Sequence, residues 1–527
     1  MKFSSSLLLS VKTILFTSYV LAFPLLELQK ILEQTPLEIG ENKYNDLGNF
    51  QSEFVKSSPV DTVELQSLIN KDALEERAQK LYELAERSTK EYGRPTRVIG
   101  SPGHWSTIGY IKKELHKLKD YYDVSTQDFE AVDGRVSSFS LLIDGVQPKS
   151  VVAMALTPPT LNKNPVNGPL VAVDGEGCYA SDYPESVSGA IALIKRGTCA
   201  FGNKSQLAGE AGALAAIIYN NEPGSVKGTL GEPTGKEIAT LGLDQDEGEH
   251  YLKLLSQGET LETTVYVDSY VGKIKTTNVI AETKLGDKEN VVMLGAHSDS
   301  VSEGPGINDD GSGTISLLEV ALQLSKFSVN NTVRFAWWAA EEEGLLGSDH
   351  YVSVLTPEEK SKIRLFMDYD MMASPNYAYQ VYDANNVDNP VGSEELKYLY
   401  IDWYLDQGLN YTLIPFDGRS DYDAFIKSGI PGGGIATGAE GIKTKEEQAL
   451  FGGTSGEWFD PCYHQLCDDL SNPNYDAWLV NTKLIAHSVA TYATSFEGFP
   501  SPYSHKDIGT NNFKAPVFKY HGPHLII

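Results

Sequence analysis

Several separate stretches of this chain place histidines and acids where divalent metals could be held. The apolar run Val291 to Ala296 ends in His297, Ser298 and Asp299, so an imidazole and, two residues on, a carboxylate emerge at a strand's carboxyl edge. Alone, such a pair is more often a hydrogen-bonded couple at the start of a loop. The loop from Gly304 to Gly313 carries Asp309 and Asp310 on a glycine-rich path that can bring a carboxylate in among other ligands. It lacks the alternating acids and closing Glu of an EF-hand, and a solvated turn is its plain alternative. Val333 to Ala340 is apolar except for Arg334 and runs straight into Glu341, Glu342 and Glu343. Acids directly after a buried strand are costly unless cations or solvent receive them, although a helix N-terminus would also favour them. Leu365 to Asp370 is another apolar strand ending in acid, and His464 lies beside Tyr463 between Cys462 and Cys467, in a loop a disulfide would close.

Two neutral imidazoles, three carboxylates and a shared hydroxide together balance the charge of two divalent cations. The mix of His and carboxylate suits zinc better than the all-oxygen shells of calcium or magnesium, with manganese or cobalt as substitutes.

The elements that must position these groups follow a strand, loop, helix rhythm from about Asn278. Val291 to Gly295 precedes Gly313 to Leu324, Val333 to Ala340 precedes Gly347 to Leu355, and Leu365 to Met367 precedes Ser393 to Asp406. That alternation predicts an α/β fold, a three-layer mixed β-sheet covered by helices, with ligands gathered beyond the carboxyl ends of its strands. Upstream, Asp61 to Glu91 and Thr107 to Leu118 carry apolar residues at helical spacing, and should pack on a sheet begun near Tyr121. Between them, Val151 to Val267 has short β-rich runs (Pro169 to Val173, Ile191 to Ile194, Ala215 to Tyr219) and a small-residue helix, Lys204 to Ala213. This texture indicates an inserted module that Cys178 and Cys199 would staple internally.

At 527 residues the chain needs at least two packed units, and 41% apolar with 22% charged residues is a globular composition. A formal charge of −28, with 71 acids against 43 Lys and Arg, argues against nucleic acid as a partner. The four cysteines stand at two tight spacings that suit two local disulfides in an oxidising compartment; free thiols or a zinc knot are the alternatives, and neither pair has CxxC spacing. Thr13 to Ala22 is a short apolar run after Lys2 and Lys12, read as a signal peptide over 1–22. It falls well short of the ~20 residues a spanning helix needs, and no membrane span is expected in the mature protein. Residues 23–59 are polar without sustained period and suggest a propeptide, and 501–527 form a tail with Pro and aromatic residues. Sequons at Asn203, Asn330 and Asn410 fit passage through a glycosylating lumen. His104, His116, His350 and His487 are expected in packing or hydrogen-bonding roles.

The strings GAHSDS, GPGINDDGSG, FAWWAAEEEGLLGS, MDYDMMASPN, GRSDYDAF and DPCYHQLCD occur in that order. Together they resemble the co-catalytic di-zinc aminopeptidase family of the aminopeptidase Y and leucine aminopeptidase kind, over about Asp61 to Glu497. The insert, with ALIKRGTCAFGNKS and AGALAAIIYNN, resembles a protease-associated domain. The resemblance implies a zinc-peptidase fold in two segments, 60–150 and 268–500, interrupted by a protease-associated domain over 151–267. It implies two zinc ions per chain, with Asp309 bridging them, His297 and Asp370 completing one shell, and Glu342 and His464 the other. It makes Glu341 the general base, Tyr463 a hydrogen-bond donor to the developing oxyanion, and Asp299 the acid orienting His297. Ala436 stands where some relatives carry a bulkier aromatic residue. The implied activity is removal of N-terminal residues from peptides with a free N-terminus, by a metal-bridged hydroxide and a Glu base. A carboxypeptidase or dipeptidase on the same scaffold, or a non-catalytic receptor-like relative, is the alternative. The protein is expected as a monomer of the secretory pathway, in a vacuole or outside the cell.

Overall fold

Val292 and Leu294 point into one buried apolar cluster and Val291 and Met293 into another, as the two-residue period of a strand requires. An apolar run of this kind belongs to a sheet covered on both faces. In the computed structural model, which describes residues 58–501 except 225, 227 and 232, helices supply both covers. The expected signal peptide, nearly all of the 23–59 propeptide and the tail beyond 501 lie outside the described residues.

The strands, in chain order, are β1 Tyr122–Ile143, β2 Val152–Ala153, β3 Val166–Ala172, β4 Ile191–Lys195, β5 Ala215–Tyr219, β6 Thr240–Leu243 and β7 Glu262–Thr283. They continue with β8 Asp287–His297, β9 Asn331–Trp338, β10 Ile363–Tyr369, β11 Gln380–Tyr382, β12 Thr412–Ile414 and β13 Gly432–Ala436. The main sheet runs β12-β11-β13-β10-β8-β9-β7, with β1 paired to β7. Its centre, β13-β10-β8-β9, is parallel, and β7 closes it antiparallel to β9.

One face packs against the helices Lys71–Ala85, Pro102–His116, Gly311–Leu324, Ser393–Asp406 and Tyr475–Thr494, through Leu74, Ile111, Leu318, Leu396 and Trp478. The other packs against Leu346–Val354 and Tyr422–Lys427, through Tyr351, Val352 and Phe425. Each such side chain removed from water contributes roughly 1.5–3 kcal/mol, so the two covers hold the strand ends rigidly. This is the three-layer α/β architecture expected from the sequence.

The inserted module hangs on a ribbon. β1 and β7 are both 22 residues long and pair antiparallel from Tyr122↔Thr283 to Ile143↔Thr263. The inner part of β7 joins the main sheet through β9, while Glu262–Val265 pairs with β3 and starts the module sheet β3-β4-β5-β6-β2. Cys178 and Cys199 form one disulfide inside the module.

The helix expected across Asp61 to Glu91 is broken. Thr62–Ser67 ends at Leu68, and Asn70, in extended geometry, caps a new helix by accepting the Ala73 N–H at 3.0 Å. The apolar period continues across the break, which is why it reads as a single helix. The helix expected from Lys204 to Ala213 is shifted three residues earlier, to Phe201–Glu210, where Gly212 in left-handed conformation ends it.

Candidate metal centre

The chemistry-bearing side chains come from the carboxyl ends of the parallel strands and from two loops tied to them. His297 is the last residue of β8 and lies in register with Trp338, the last of β9. Glu341 and Glu342 follow β9 after Ala340, whose φ is 61°, and Asp370 follows β10 directly. Asp309 sits just before the helix Gly311–Leu324. His464, at φ 56°, lies in the loop closed by the Cys462–Cys467 disulfide. Left-handed conformations at non-glycine residues persist only where surrounding contacts over-determine them, and Ala340, His464 and Met371, the last at φ 58°, all occur at this edge.

Asp309 faces both histidines. Its Oδ1 lies 3.2 Å from His297 Nε2 and its Oδ2 2.8 Å from His464 Nε2. Asp370 Oδ1 stands 3.6 Å from His297 Nε2, and Glu342 Oε2 3.1 Å from His464 Nε2. All five residues expected as ligands therefore converge, with one oxygen of Asp309 directed to each imidazole. Among the described residues, two groups bring every ligand atom within 4.8 Å of its fellows: His297, Asp309 and Glu342, and His297, Glu341 and Asp370. Glu341 enters by its Oε2, 3.8 Å from His297 Nε2.

This donor set fits a pair of zinc ions. Imidazoles with carboxylates are zinc's usual ligands, and Asp370 Oδ1 is buried yet accepts no hydrogen bond. The electrostatics agree. Burial opposes charge on both histidines, yet the surrounding carboxylates of Glu341, Asp299, Asp309 and Asp370 raise the His297 imidazolium well above its ordinary value. Glu342 and Asp309 likewise carry His464 up to about 10. Burial pushes the Asp309 carboxyl up, but hydrogen bonds to the two histidines outweigh it and hold the group below the carboxylate range. Burial raises Glu341 well above its ordinary value, and raises Glu342 as well. A site that draws positive charge this strongly exchanges its protons for divalent metal.

Supporting residues hold the converging segments. Asp299 lies 3.8 Å from His297 Nδ1 and accepts the backbone N–H groups of Glu341 and Glu342 at 3.4 and 3.3 Å, so one acid sits beside three of the residues expected at the site. Tyr463 stacks on the His464 ring with centroids 3.8 Å apart. Three further residues had no role in the sequence reading. Asp310 accepts the backbone N–H groups of His297, Gly313 and Met371, joining β8, the helix start and the end of β10. Asp468 accepts those of Asn308 and Asp309. Arg97, fully buried, donates to the carbonyls of Ser298, Pro305 and Gly306. Asp310 and Asp468 each adjoin a ligand-bearing motif and were visible there as unexplained acids; Arg97 stands in an irregular segment with no pattern to mark it. A Cβ on Gly304 would collide with Gln465 O, which explains the glycine where the two loops meet.

Beside Asp370 a cavity of about 380 Å³ opens, lined by Met371, Ile414, Pro415, Ala436, Phe459 and Tyr463 among others. Arg419 and Glu440, paired at 2.7 Å, also face it. His104 is buried in its helix and meets Ser298 Oγ at 3.0 Å, His350 stacks on Phe129, and His487 meets Thr62 Oγ1 at 2.7 Å; His116 is exposed. Asn203, Asn330 and Asn410 are all exposed.

A mixed α/β sheet with a paired His and carboxylate centre on its carboxyl edge defines a metallopeptidase of the co-catalytic kind. The chain belongs to peptidase family M28: the family model matches residues 278–489, and the PA domain model matches 166–251. It is 54% identical to aminopeptidase Y of Saccharomyces cerevisiae over 89% of this chain and 87% of that one. It is 47% identical to leucine aminopeptidase 2 of Trichophyton equinum, over 77% of this chain and 81% of the relative. Among solved structures it is similar to an aminopeptidase from Aneurinibacillus sp. strain AM-1, with TM-score 0.66 and 26% identity over 84% of this chain and 98% of that one. It is also similar to a zinc aminopeptidase from Bacillus subtilis, with TM-score 0.59 and 25% identity over 82% of this chain and 98% of that one.

Proposed function

We propose that this protein is a zinc-dependent aminopeptidase that releases N-terminal residues from peptides carrying a free α-amine. The observation that carries the reading is the Asp309 carboxylate, shared between His297 and His464 at 3.2 and 2.8 Å. The aminopeptidases to which the chain is similar support it. His297, Asp309 and Asp370 would hold one zinc ion, and Asp309, Glu342 and His464 the other. The metal pair, when bound, supplies an acidified water and polarisation of the scissile carbonyl.

The chain's own residues do the rest. Glu341, with its carboxyl raised by burial, takes a proton at Oε2 and returns it to the leaving amine. Tyr463 donates a hydrogen bond to the oxygen on which charge develops. Asp299 holds His297 in orientation through Nδ1. The cavity lined by Met371, Ile414, Ala436 and Phe459 receives the N-terminal side chain, and Ala436 leaves room in it for a large apolar group.

Two disulfides support maturation in an oxidising secretory compartment, with the vacuole or the exterior as destination, and the three exposed sequons are accessible to glycosylation. No helix among the described residues is long and apolar enough to cross a membrane.

Hydrolysis of leucyl-p-nitroanilide and of matched free and N-acetylated peptides tests the assignment. Cleavage of the free peptides alone, abolished by chelator and restored by zinc, is expected. Equal cleavage of the acetylated peptides would overturn it.

A further inference from the structure

Glu342 belongs to two places at once. It is part of the histidine and carboxylate centre, and it also lines a second cavity, of about 440 Å³, on the side facing the inserted module. One wall of that cavity is the β1/β7 ribbon, where Asp133, Gly134 and Arg135 pair with Gly272, Val271 and Tyr270; Ala155 of the module adds to it. Glu303 and Glu343 also line it. The cavity differs in kind from the apolar one beside Asp370. Glu91, Asp133, Glu303 and Glu343 face it, against a single cation, Arg135, which lies 4.9 Å above the Tyr92 ring. Glu343 Oε2 is buried and accepts no hydrogen bond. The exposed Glu91 and Glu303, with Asp133, set a negative potential over the cavity and favour a cationic occupant.

The two cavities flank the metal centre, one touching Asp370 and the other Glu342. A peptide whose scissile carbonyl lies between them has its N-terminal side chain on one side and the next residues on the other. We infer that the acidic cavity receives the residue following the scissile bond and favours lysine or arginine there. The side chain's methylenes lie along Val98, Ile274 and Tyr270, and its charge reaches Asp133 and Glu303. The ribbon thereby gives the inserted module a part in substrate choice. This inference rests on the aminopeptidase reading.

The test compares kcat/KM of the full-length zinc enzyme on Leu-Lys-amide, Leu-Ala-amide and Leu-Glu-amide, which share their N-terminal residue. Lysine should be preferred over glutamate by about tenfold or more, and 1 M salt should shrink the ratio. Glu303 is exposed, so Glu303→Gln and Glu303→Lys should fold; thermal melting and zinc content check that they do. The ratio should fall several-fold in Glu303→Gln and further in Glu303→Lys, and Asp133→Asn should add to the loss. An enzyme that cleaves all three amides without preferring lysine, or whose preference is the same in every variant, overturns the inference and leaves the aminopeptidase reading intact. Failure of the parent enzyme to cleave leucyl-p-nitroanilide overturns both.

Discussion

Asp468 accepts the backbone N–H of Asp309 through Oδ2 at 3.0 Å, across 159 positions of sequence. The same carboxylate takes the Asn308 N–H at 2.9 Å and the Asn472 amide at 2.9 Å. The disulfide loop that presents His464 and the glycine-rich loop that presents Asp309 are therefore one mechanical unit. Replacing Asp468 by Asn turns one of the two oxygens that accept these adjacent N–H groups into a donor, while keeping the side chain's shape. Zinc affinity should fall roughly 10- to 100-fold, the usual cost of losing a group that orients a ligand, as read by titration against a competing chelator. Affinity equal to the parent's would show that the loops hold their positions without this contact.

In the proposed mechanism Glu341 carries protons rather than holding metal alone. Glu341→Gln should lower turnover of leucyl-p-nitroanilide by about 10²–10⁴-fold, the span attributed to a positioned acid-base group, and leave two zinc ions per chain by elemental analysis. A parallel loss of zinc would move Glu341 into the ligand set, where its grouping with His297 and Asp370 already sets it close.

His464 and its loop set the second half of the centre. His464→Ala should cost at least one zinc ion per chain, because it removes an imidazole lying 2.8 Å from Asp309 and 3.1 Å from Glu342. Opening the loop by replacing Cys462 and Cys467 with serine should cost about 2 kcal/mol of stability by the chain-entropy relation for a five-residue separation. It should also weaken zinc binding, since the loop that aims the imidazole is freed. A variant that melts earlier but holds zinc as the parent does would separate the two effects and discard the second.

His104 makes a pH-dependent contribution. Burial lowers its imidazolium to about 4 from the ordinary 6.5. The folded state therefore binds fewer protons than the unfolded one between those values, so stability is full above pH 6.5 and declines as pH falls toward 4. The loss amounts to about 3 kcal/mol over that window. His104→Gln, which keeps a polar group near Ser298 Oγ, should flatten this decline in denaturant melts at pH 7, 5.5 and 4. An unchanged slope would assign the acid sensitivity to other groups.

Much of the site was legible because its parts are local. Apolar runs ending in His297, in Glu341 and Glu342, and in Asp370 reveal parallel strands and the edge at which they finish, since both depend on neighbours in sequence. The ribbon was not legible. β1 and β7 contain polar and charged residues throughout, including Asp128, Glu130, Lys273 and Lys275, because much of their length lies away from either core. Apolar alternation marks only their ends, as at Leu141 and Ile143 or Val265 and Val267, so the 22-residue span could be found only in the pairing. The break at Asn70 was hidden for the opposite reason, because the apolar period carries across it.

The sequence by itself determined the residue types of the centre, the order in which strands deliver them and the cysteines near enough to pair. Side-chain chemistry and short-range spacing decide those matters without reference to distant contacts. Only the tertiary structure decided that Asp309 turns one oxygen to each histidine, that Asp310, Asp468 and Arg97 hold the loops, and that Glu342 looks into an acidic cavity walled by the ribbon. Each of these depends on groups far apart along the chain meeting within a few ångströms, and sheet order and helix packing, rather than spacing, bring them there.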